Sequence, residues 1–317
     1  MSTPGRTPGR TERFVGGWVS LRDVLTDAQR RLAAAGVPSP ENDAILLAAH
    51  VKGVPRSRLH LHDEMPSEER TAFERLVARR MARIPLQHLL GVAAFRTIEV
   101  GVGPGVFIPR PETELLAGAA IDTLRSLPAQ DRRAVDLCTG SAVVALSLAV
   151  EAGPVDVVGV EIDSVAAQWA RDNVERLGDD LREVGSRVRI IEADARTCAD
   201  EGGPLADLVG TVLVVTMNPP YVPDQAEVRD LEARNHDPAR ALYGGPDGLD
   251  IVRGAVETAA RLLLPGGLLL IEHSDEQGEG VEAGVPALLR EDPRWRDVVD
   301  HQDLTRRPRF TTAIRMV

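Results

Sequence analysis

Cysteines and long apolar runs are scarce in this 317-residue sequence. Its two cysteines, Cys138 and Cys198, are too few for a disulfide framework or a metal-ligand cluster, so we expect no bound metal and a reducing compartment. No apolar run reaches the roughly eighteen residues that a membrane-spanning helix needs. The first residues, MSTPGRTPGRTERF, lack the apolar core of a signal peptide. These absences predict a cytoplasmic protein with no membrane contact.

Basic residues are scarce in the larger part of the chain. Residues 98–317 carry 22 Lys and Arg against 38 Asp and Glu, a net charge of −16, whereas residues 1–97 carry 15 against 10, a net charge of +5. Phosphate backbones are bound largely by Lys and Arg, so the acidic part argues against direct nucleic-acid binding. The basic part is suited to docking onto an acidic protein surface, and a solvated helix surface is the alternative interpretation.

The first third of the chain has the patterns of a small helical domain. Ser20 is a helix-capping residue followed by an apolar stripe, Ser39-Pro40 can open a second helix, and Ser67–Met81 has helical periodicity. The polar, Gly- and Pro-containing start of the chain predicts disorder. The predicted organisation is a disordered tail over residues 1–16, a helical docking domain over 17–88, a β-hairpin or linker over 89–106 and a larger domain over 107–317.

The larger domain alternates strand-like and helix-like segments. Short apolar runs that predict strands are Ala134–Leu137, Val155–Val160, Val188–Ile191, Val212–Met217 and Leu268–Glu272. Helical patterns lie between most of them, which predicts an α/β fold with a mostly parallel sheet and helices on both faces. Ligands of such folds bind at the carboxyl ends of the strands, so the candidate site residues are those that end each strand.

Three of these strands end on acidic residues that fit a nucleotide-like ligand. The first ends at Asp136 and leads into a turn that precedes a helix, where backbone N–H groups face the ligand crevice. Glu161 ends the second strand and can accept hydrogen bonds from ribose hydroxyls. Asp194 follows the third strand and can accept from an adenine amino group. The turn consists of Cys138, Thr139, Gly140, Ser141 and Ala142.

The fourth strand, VLVVTM, runs directly into Asn218-Pro219-Pro220-Tyr221. Proline cannot donate to a sheet and disfavours the helical region for the residue before it, so the chain becomes extended and stiff. The Asn218 side-chain oxygen and the Pro219 carbonyl are then two acceptors at a fixed separation, which matches the two hydrogens of a planar –NH₂ group. Tyr221 offers a flat face to that group. We refer to Asn218–Tyr221 as the bracket.

The bracket favours methyl transfer to an amide or aromatic amino nitrogen. Two acceptors polarise the nitrogen and direct its lone pair toward an electrophile such as the methyl group of S-adenosylmethionine, and alignment supplies most of the rate. Asn218, Pro219 and Tyr221 are therefore the candidate catalytic residues. A dinucleotide enzyme is an alternative, because residues 140–145 are a degraded G-x-G-x-x-G. A simple sharp turn is another.

The bracket resembles that of amino-group methyltransferases, which act on DNA adenine, RNA guanine or protein glutamine. Other segments are similar to the peptide chain release factor glutamine methyltransferases, the PrmC/HemK family: IPLQHLLG (84–91), GVFIPRPETELL (105–116), DPARALYGGPDGLDIVR (237–253) and LLPGGLLLIEHSDEQGEGV (263–281). The resemblance covers roughly residues 20 to 315. It implies a Rossmann-like class I fold with a seven-stranded sheet and an N-terminal helical domain.

The resemblance also implies a reaction: S-adenosylmethionine methylates the glutamine of the Gly-Gly-Gln loop in class I release factors. Asp136, the turn, Glu161, Asp194, Ala195 and Asn218 would then bind the cofactor, and Asn218–Tyr221 the glutamine. Residues 107–114 would lie near the pocket, without individual roles for Arg110 or Glu112.

The chain departs from the family in its cofactor turn. The family pattern Asp-x-Gly-x-Gly-x-Gly has Cys138 and Ala142 in place of its first and third glycines here. Alanine tolerates a positive φ badly, so Ala142 is harmless only if it has a negative φ at the helix start. The open alternatives are a DNA or RNA amino-group methyltransferase and a non-catalytic release-factor-binding homologue with an impaired cofactor turn.

Overall fold

The computed structural model describes residues 18–317. The tail predicted over residues 1–16 lies outside this range. The chain divides after Leu90 into two compact units, which we call the helical unit (to Leu90) and the sheet unit (Gly91–Val317).

The helical unit contains, within residues 18–90, the three helices that the sequence predicts and a fourth, short helix that it does not. Ser20 caps the first helix with its side chain, which accepts a hydrogen bond of 3.4 Å from the N–H of Asp23. Pro40 opens the second helix, and Gly53, at φ 63°, ends it. The helices are α1 (Leu21–Ala34), α2 (Pro40–Lys52), α3 (Ser67–Met81) and α4 (Leu86–Leu90), with a 3-10 turn at Arg56–Leu61 and an antiparallel strand pair, β1 (Trp18–Ser20) and β2 (Glu64–Pro66).

A buried ion pair crosses the core of the helical unit. Asp43 on α2 accepts a hydrogen bond of 2.7 Å from Nε of Arg80 on α3, and their side chains are 6% and 5% exposed. The same helices contribute fully buried apolar side chains to the core, including Leu47 on α2 and Phe73 on α3. Two buried charges are tolerated only while each compensates the other, so this contact ties α2 to α3.

The sheet unit begins with a hairpin and continues as an α/β sandwich. The hairpin predicted within residues 89–106 consists of β3 (Val92–Phe95) and β4 (Ile98–Gly101). The later strands are β5 (Arg133–Leu137), β6 (Asp156–Glu161), β7 (Arg187–Glu192), β8 (Val212–Met217), β9 (Leu263–Glu272), β10 (Trp295–Gln302) and β11 (Pro308–Arg315). The helices are α5 (Thr113–Arg125), α6 (Val143–Ala152), α7 (Ser164–Arg176), α8 (Gly178–Glu183), α9 (Leu231–His236), α10 (Ala239–Leu242), α11 (Asp250–Leu262) and α12 (Val285–Glu291), with short 3-10 turns at Ala129–Asp131 and Ala206–Leu208.

The seven strands β5 to β11 form one sheet in the order β10-β11-β9-β8-β5-β6-β7. The five strands from β9 to β7 are parallel, and β11 is antiparallel to both of its neighbours. Apolar clusters cover both faces, which explains why β5, β6 and β8 read as near-continuous apolar runs. The predicted fold class, an α/β fold with a mostly parallel seven-stranded sheet, is confirmed. None of the helices within residues 18–317 is long and apolar enough to cross a membrane.

The sheet places the site. The chain runs outward from β5 through β6 to β7, then returns to β8 on the other side of β5. Helices after β5 and β8 therefore pack on opposite faces and leave a crevice at the carboxyl ends of these two strands. Asp136 and the turn lie on one side of this crevice, and Asn218 lies on the other.

We expect replacement of Asp43 by alanine to destabilise the helical unit. Arg80 would stay buried but lose the carboxylate that accepts from its Nε, and breaking a buried ion pair by removal of one partner costs about 3–5 kcal/mol of unfolding free energy. Urea unfolding followed by circular dichroism measures the loss, and Glu41→Gln, an exposed carboxylate on the same helix, is the control. A loss no larger than that of the control would contradict the assignment.

Candidate functional site

A cavity of about 740 Å³ opens at the carboxyl ends of the central strands. It brings together most of the residues predicted from the strand ends. Those that line it are Asp136, Cys138, Thr139, Gly140, Ser141, Glu161, Asp194, Ala195, Asn218, Pro220 and Tyr221. The remaining two, Ala142 and Pro219, are buried and are not among the lining residues.

The turn after β5 adopts a left-handed backbone at every second residue. Cys138, Gly140 and Ala142 have φ values of 58°, 56° and 63°. These are the three positions where the family pattern has glycine. Ala142 therefore lacks the negative φ that would make it harmless. A left-handed alanine costs roughly 1–2 kcal/mol of conformational energy. Its methyl group is fully buried in the apolar core, however, and does not lie in the cavity.

Gly140 differs from its two neighbours because its α-carbon faces open space. A methyl group added there would meet no heavy atom within 4 Å, and Gly140 lines the cavity. Its backbone N–H donates a hydrogen bond of 2.9 Å to Oε2 of Glu161. Gly140 is therefore where the backbone itself can approach a ligand closely.

The Asp136 side chain fixes the turn by hydrogen bonds to two hydroxyl groups. One of its carboxylate oxygens accepts a hydrogen bond from the Thr139 hydroxyl (2.6 Å) and the other from the Thr216 hydroxyl on β8 (2.7 Å). Burial raises the pKa of Asp136 to about 6, although both hydroxyls stabilise its charged form. Its side chain thereby fixes the turn against two neighbouring strands.

Glu161 is an ordered acceptor in the cavity wall. Its Oε1 accepts from the backbone N–H groups of Ile162 and Asp163, and its Oε2 from Gly140, each at 2.9 Å. A carboxylate has about four lone-pair sites, so Oε2 retains room for one further donor, such as a ribose hydroxyl. Burial raises the pKa of Glu161, and the three N–H groups counteract it.

Asp194 has a partner that the sequence interpretation missed. The Arg196 guanidinium lies 2.6 Å from Oδ2, and the Arg196 backbone N–H donates to Oδ1. Hydrogen bonds from Arg196 lower the pKa of Asp194, so the carboxylate is held charged beside Ala195 in the cavity wall. An arginine two residues after a strand-end aspartate is the local signal that could have predicted this pair.

The bracket presents two acceptors to which no hydrogen bond is made within residues 18–317. The side-chain nitrogen of Asn218 donates to the Thr113 hydroxyl at 3.3 Å, which leaves its oxygen on the other side of the amide. No donor contacts that oxygen or the Pro219 carbonyl in this range. Polar groups in buried and half-buried sites are normally paired, so the free Asn218 oxygen in the cavity wall is suited to an incoming –NH₂ group. Pro219 is buried and is not a lining residue, so its free carbonyl stays the predicted second acceptor.

Glycines behind the bracket hold it in place. A methyl group on Gly244 would lie 2.3 Å from the Pro220 carbonyl oxygen, and one on Gly248 would lie 2.2 Å from that of Tyr221. The Gln277 side chain also donates a hydrogen bond of 3.0 Å to the Tyr221 carbonyl. The bracket is therefore clamped by backbone that only glycine allows so close.

Arg110 anchors the segment before α5. Its guanidinium donates to the buried Asp237 carboxylate at 2.6 Å and lies 5.1 Å from the centroid of the Phe107 ring. Residues 107–113 are thereby tied to the chain that follows the bracket. This gives Arg110 the individual role that the sequence did not reveal.

Asn173 on α7 joins the turn to the hairpin. Its side-chain nitrogen donates to the carbonyls of Ser141 and Gly101, both at 3.0 Å, and its oxygen accepts from the Gly101 N–H at 2.6 Å. Asn173 is 1% exposed. The turn is thus held from three sides, by Asp136, Glu161 and Asn173.

Solved structures share the fold of this chain. The catalytic domain of hMettl16, solved in complex with the MAT2A 3′UTR hairpin 6, aligns over 76% of this chain and 82% of its own, with a TM-score of 0.50 and 15% identity. That likeness shows the fold alone. Together, the sheet order, the turn and the bracket define an S-adenosylmethionine-dependent methyltransferase of class I.

The family follows from closer relatives. Residues 23–91 match the family model for the PrmC N-terminal domain. The release factor glutamine methyltransferase of Streptomyces coelicolor is 46% identical over 290 residues (91% of this chain, 96% of that protein), and that of Mycolicibacterium smegmatis 46% over 297 (93% and 98%). The chain belongs to the release factor glutamine methyltransferase family.

A relative with another substrate is also similar. The 4-amino-L-phenylalanine/4-methylamino-L-phenylalanine methyltransferase of Streptomyces pristinaespiralis is 37% identical over 281 residues (87% of this chain, 89% of that protein). Its substrate, by name, carries an aromatic amine instead of an amide.

The cavity residues fit S-adenosylmethionine. Glu161 retains an acceptor site for a ribose hydroxyl, the Gly140 backbone is open to a ligand, and Ile162 (45% exposed) gives the wall an apolar face for an adenine ring. When bound there, the cofactor supplies an electrophilic methyl group. No cluster of metal-ligating side chains occurs in the described part of the chain.

We expect the turn to tolerate Ala142→Gly and to be sensitive to Gly140→Ala. Ala142 directs its methyl group into the core, so S-adenosylmethionine affinity should stay within about threefold, a difference below 1 kcal/mol. Alanine at position 140 would combine a left-handed φ with a methyl group on the open side. Its affinity should fall by about tenfold or more, a difference of about 1.4 kcal/mol, because the new methyl group would occupy space that the ligand approaches.

Titration calorimetry of both variants and the parent protein measures these affinities. Cofactor binding that is weak in the parent protein and restored by Ala142→Gly would contradict this assignment.

We expect Gly248→Ala to impair methyl transfer while leaving cofactor affinity within about threefold. The new methyl group would displace the Tyr221 carbonyl and with it the bracket, and a shift of about 1 Å costs about a hundredfold in rate. Gly266→Ala is the matched control, because Gly266 also has a positive φ (86°) but meets no atom within 4 Å. Equal rates for the two variants would show that the clamp has no role in transfer.

Proposed function

We propose that this protein transfers a methyl group from S-adenosylmethionine to the side-chain amide nitrogen (N5) of the glutamine in the Gly-Gly-Gln loop of class I peptide chain release factors. The observation that carries the proposal is the pair of free acceptors, the Asn218 side-chain oxygen and the Pro219 carbonyl. Family membership supports a glutamine side-chain amide as the group that they receive.

The bracket overcomes the poor nucleophilicity of an amide nitrogen. The lone pair of that nitrogen is delocalised into the carbonyl group, so free glutamine is a weak methyl acceptor. Two hydrogen bonds to the –NH₂ hydrogens polarise the nitrogen and fix its orientation toward the cofactor side of the cavity. Alignment of this kind accounts for large effective molarities, about 10⁵ M or more in favourable cases. The methylated nitrogen then loses a proton readily, so no base is required before transfer.

The charge distribution supports a protein substrate over a nucleic acid. Residues 98–317 carry a net charge of −16, and many arginines near the cavity are paired with carboxylates. Arg110 pairs with Asp237, Arg196 with Asp194, and Arg309 with Asp303. A groove for a phosphate backbone requires unpaired basic side chains. This argues against the DNA or RNA amino-group alternative.

A small arylamine is the second candidate substrate. The bracket itself does not distinguish an amide from an aromatic amine, since both offer a planar –NH₂ group, and the Streptomyces pristinaespiralis relative is named for such a substrate. The higher identity to release factor enzymes, 46% against 37%, favours the protein substrate. A non-catalytic binding protein is disfavoured because it would have no use for two free, aligned acceptors.

The proposed place of action is the cytoplasm. Cys138 and Cys198 are both free thiols, and burial raises the pKa of the Cys138 thiol well above its ordinary value, which keeps it protonated and unreactive.

We expect mass spectrometry of a class I release factor, incubated with this protein and S-adenosylmethionine, to show one added methyl group on the loop glutamine. Asn218→Ala should lower the rate by about 10²–10³, as the loss of one preorganised hydrogen bond does. Asn235→Ala, an exposed amide on α9, is the matched control. Parallel reactions with 4-amino-L-phenylalanine and with RNA test the alternatives. Methylation of either of these, with none on the release factor, would overturn the proposal.

A further inference from the structure

Glu272 is a buried carboxylate in the cavity that the bracket chemistry leaves unused. It ends β9, lines the cavity and is 1% exposed. Its Oε2 has no hydrogen-bond partner within residues 18–317. An unpaired carboxylate oxygen in such a place costs stability, which suggests that Glu272 contributes to activity.

Glu272 lies directly behind the bracket. Met217 and Ile271 are paired across β8 and β9, so the residues that follow them, Asn218 and Glu272, leave neighbouring strand ends, and both line the cavity together with Thr113. Thr113 and Asn218 lower the pKa of Glu272 against the larger effect of burial. Asn218 and Thr113 also contact each other, at 3.3 Å between Nδ2 and Oγ1. Glu272, Thr113 and Asn218 therefore form one polar cluster, contributed by the end of β9, the start of α5 and the end of β8.

This cluster determines which end of the Asn218 amide faces the substrate. An ionised carboxylate only accepts hydrogen bonds, so it attracts the –NH₂ end of Asn218 and repels the oxygen. With the amide reversed, the oxygen would face the carboxylate and an N–H donor would face the substrate –NH₂ group. The reversed amide could not bind that group.

We propose that Glu272 is a positioning residue for methyl transfer, whose carboxylate holds the Asn218 amide nitrogen toward Thr113 and thereby keeps the amide oxygen toward the substrate –NH₂ group. This inference rests on the proposed function. A negative charge near the –NH₂ end of the Asn218 side chain also polarises the amide and makes its oxygen a stronger acceptor. Glu272 acts through Asn218 and need not contact the substrate.

The burial of Glu272 predicts how the rate of methyl transfer depends on pH. Burial raises its pKa to about 7. The charged and titratable groups around it are Arg309, which lowers this pKa, Glu112, which raises it, and Tyr221, whose own pKa burial raises so that the phenol stays neutral. The carboxylate form that orients Asn218 is present above this pKa and is lost as the pH falls through it.

The same shift predicts the effect on stability. For a carboxyl group whose pKa is raised by folding, the contribution to stability is fully present below the unfolded pKa and is lost progressively as the pH rises from there through the folded pKa. At pH 8 the charge of Glu272 therefore costs stability. If Glu272 is kept for activity, its replacement by a neutral residue should make the protein more stable. If its role were purely structural, the same replacement should destabilise the fold.

The test compares Glu272→Gln with the parent protein, using a class I release factor and S-adenosylmethionine from pH 5.5 to pH 9. We expect kcat at pH 8 to fall by at least about tenfold, with cofactor affinity from calorimetry within about threefold and a melting temperature at pH 8 equal to or above that of the parent. The fall in kcat that centres near pH 7 should disappear in the variant. Any fall that remains should centre near pH 6, where Asp136 titrates. Glu279→Gln, an exposed carboxylate, is the control.

A second variant keeps the test decisive if Glu272→Gln does not fold. Thr113→Val removes the hydroxyl that accepts a hydrogen bond from the Asn218 nitrogen. This variant should also have a lower kcat, with cofactor affinity retained. A kcat within twofold of the parent for the folded variant, or a loss of kcat accompanied by an equal loss of cofactor affinity, would overturn the role of Glu272. Failure of the proposed function is recognised separately, because the parent protein would then leave the release factor unmethylated.

Discussion

The site depends on two hydrogen-bond acceptors that are left without donors at the end of a buried strand. An unpaired polar group in a largely buried position costs about 1–3 kcal/mol, so the surrounding structure must prevent the Asn218 oxygen and the Pro219 carbonyl from finding other partners. Two consecutive prolines remove the nearest N–H groups and stiffen the chain. The glycines at positions 244 and 248 allow a supporting backbone close behind the bracket, and Gln277 fixes the Tyr221 carbonyl.

The cofactor side of the cavity has a comparable constraint in its backbone. The turn after β5 is left-handed at Cys138, Gly140 and Ala142, and only the middle position retains glycine. A left-handed alanine is strained, but its methyl group is buried in the core, and a buried methyl group contributes about 0.8 kcal/mol. Glycine is indispensable only where a side chain would enter the open side of the turn. The two departures from the family pattern therefore fall at positions where a small side chain can be accommodated.

The fold and the strand-end residues were largely predictable from the sequence, because apolar runs, alternation and prolines are local signals. Five of the seven strands of the sheet were predicted within a few residues, apart from the early start of β9 at Leu263. The last two, β10 and β11, were not, since β10 is an exposed edge strand with a mixed pattern. The contacts that orient the site were not predictable: Asn218 with Thr113 spans 105 residues, and Arg110 with Asp237 spans 127. Glu272 was part of a predicted strand, but its unpaired buried oxygen is visible only in three dimensions.

The bracket is proposed to receive a planar –NH₂ group through the Asn218 oxygen and the Pro219 carbonyl. A crystal structure of the protein with S-adenosylhomocysteine and a peptide containing Gly-Gly-Gln tests this most directly. We predict that the glutamine amide nitrogen lies about 2.7–3.2 Å from both oxygens, with the Asn218 nitrogen still toward Thr113. A glutamine amide bound elsewhere in the cavity, or an Asn218 amide turned with its nitrogen toward the peptide, would contradict the account.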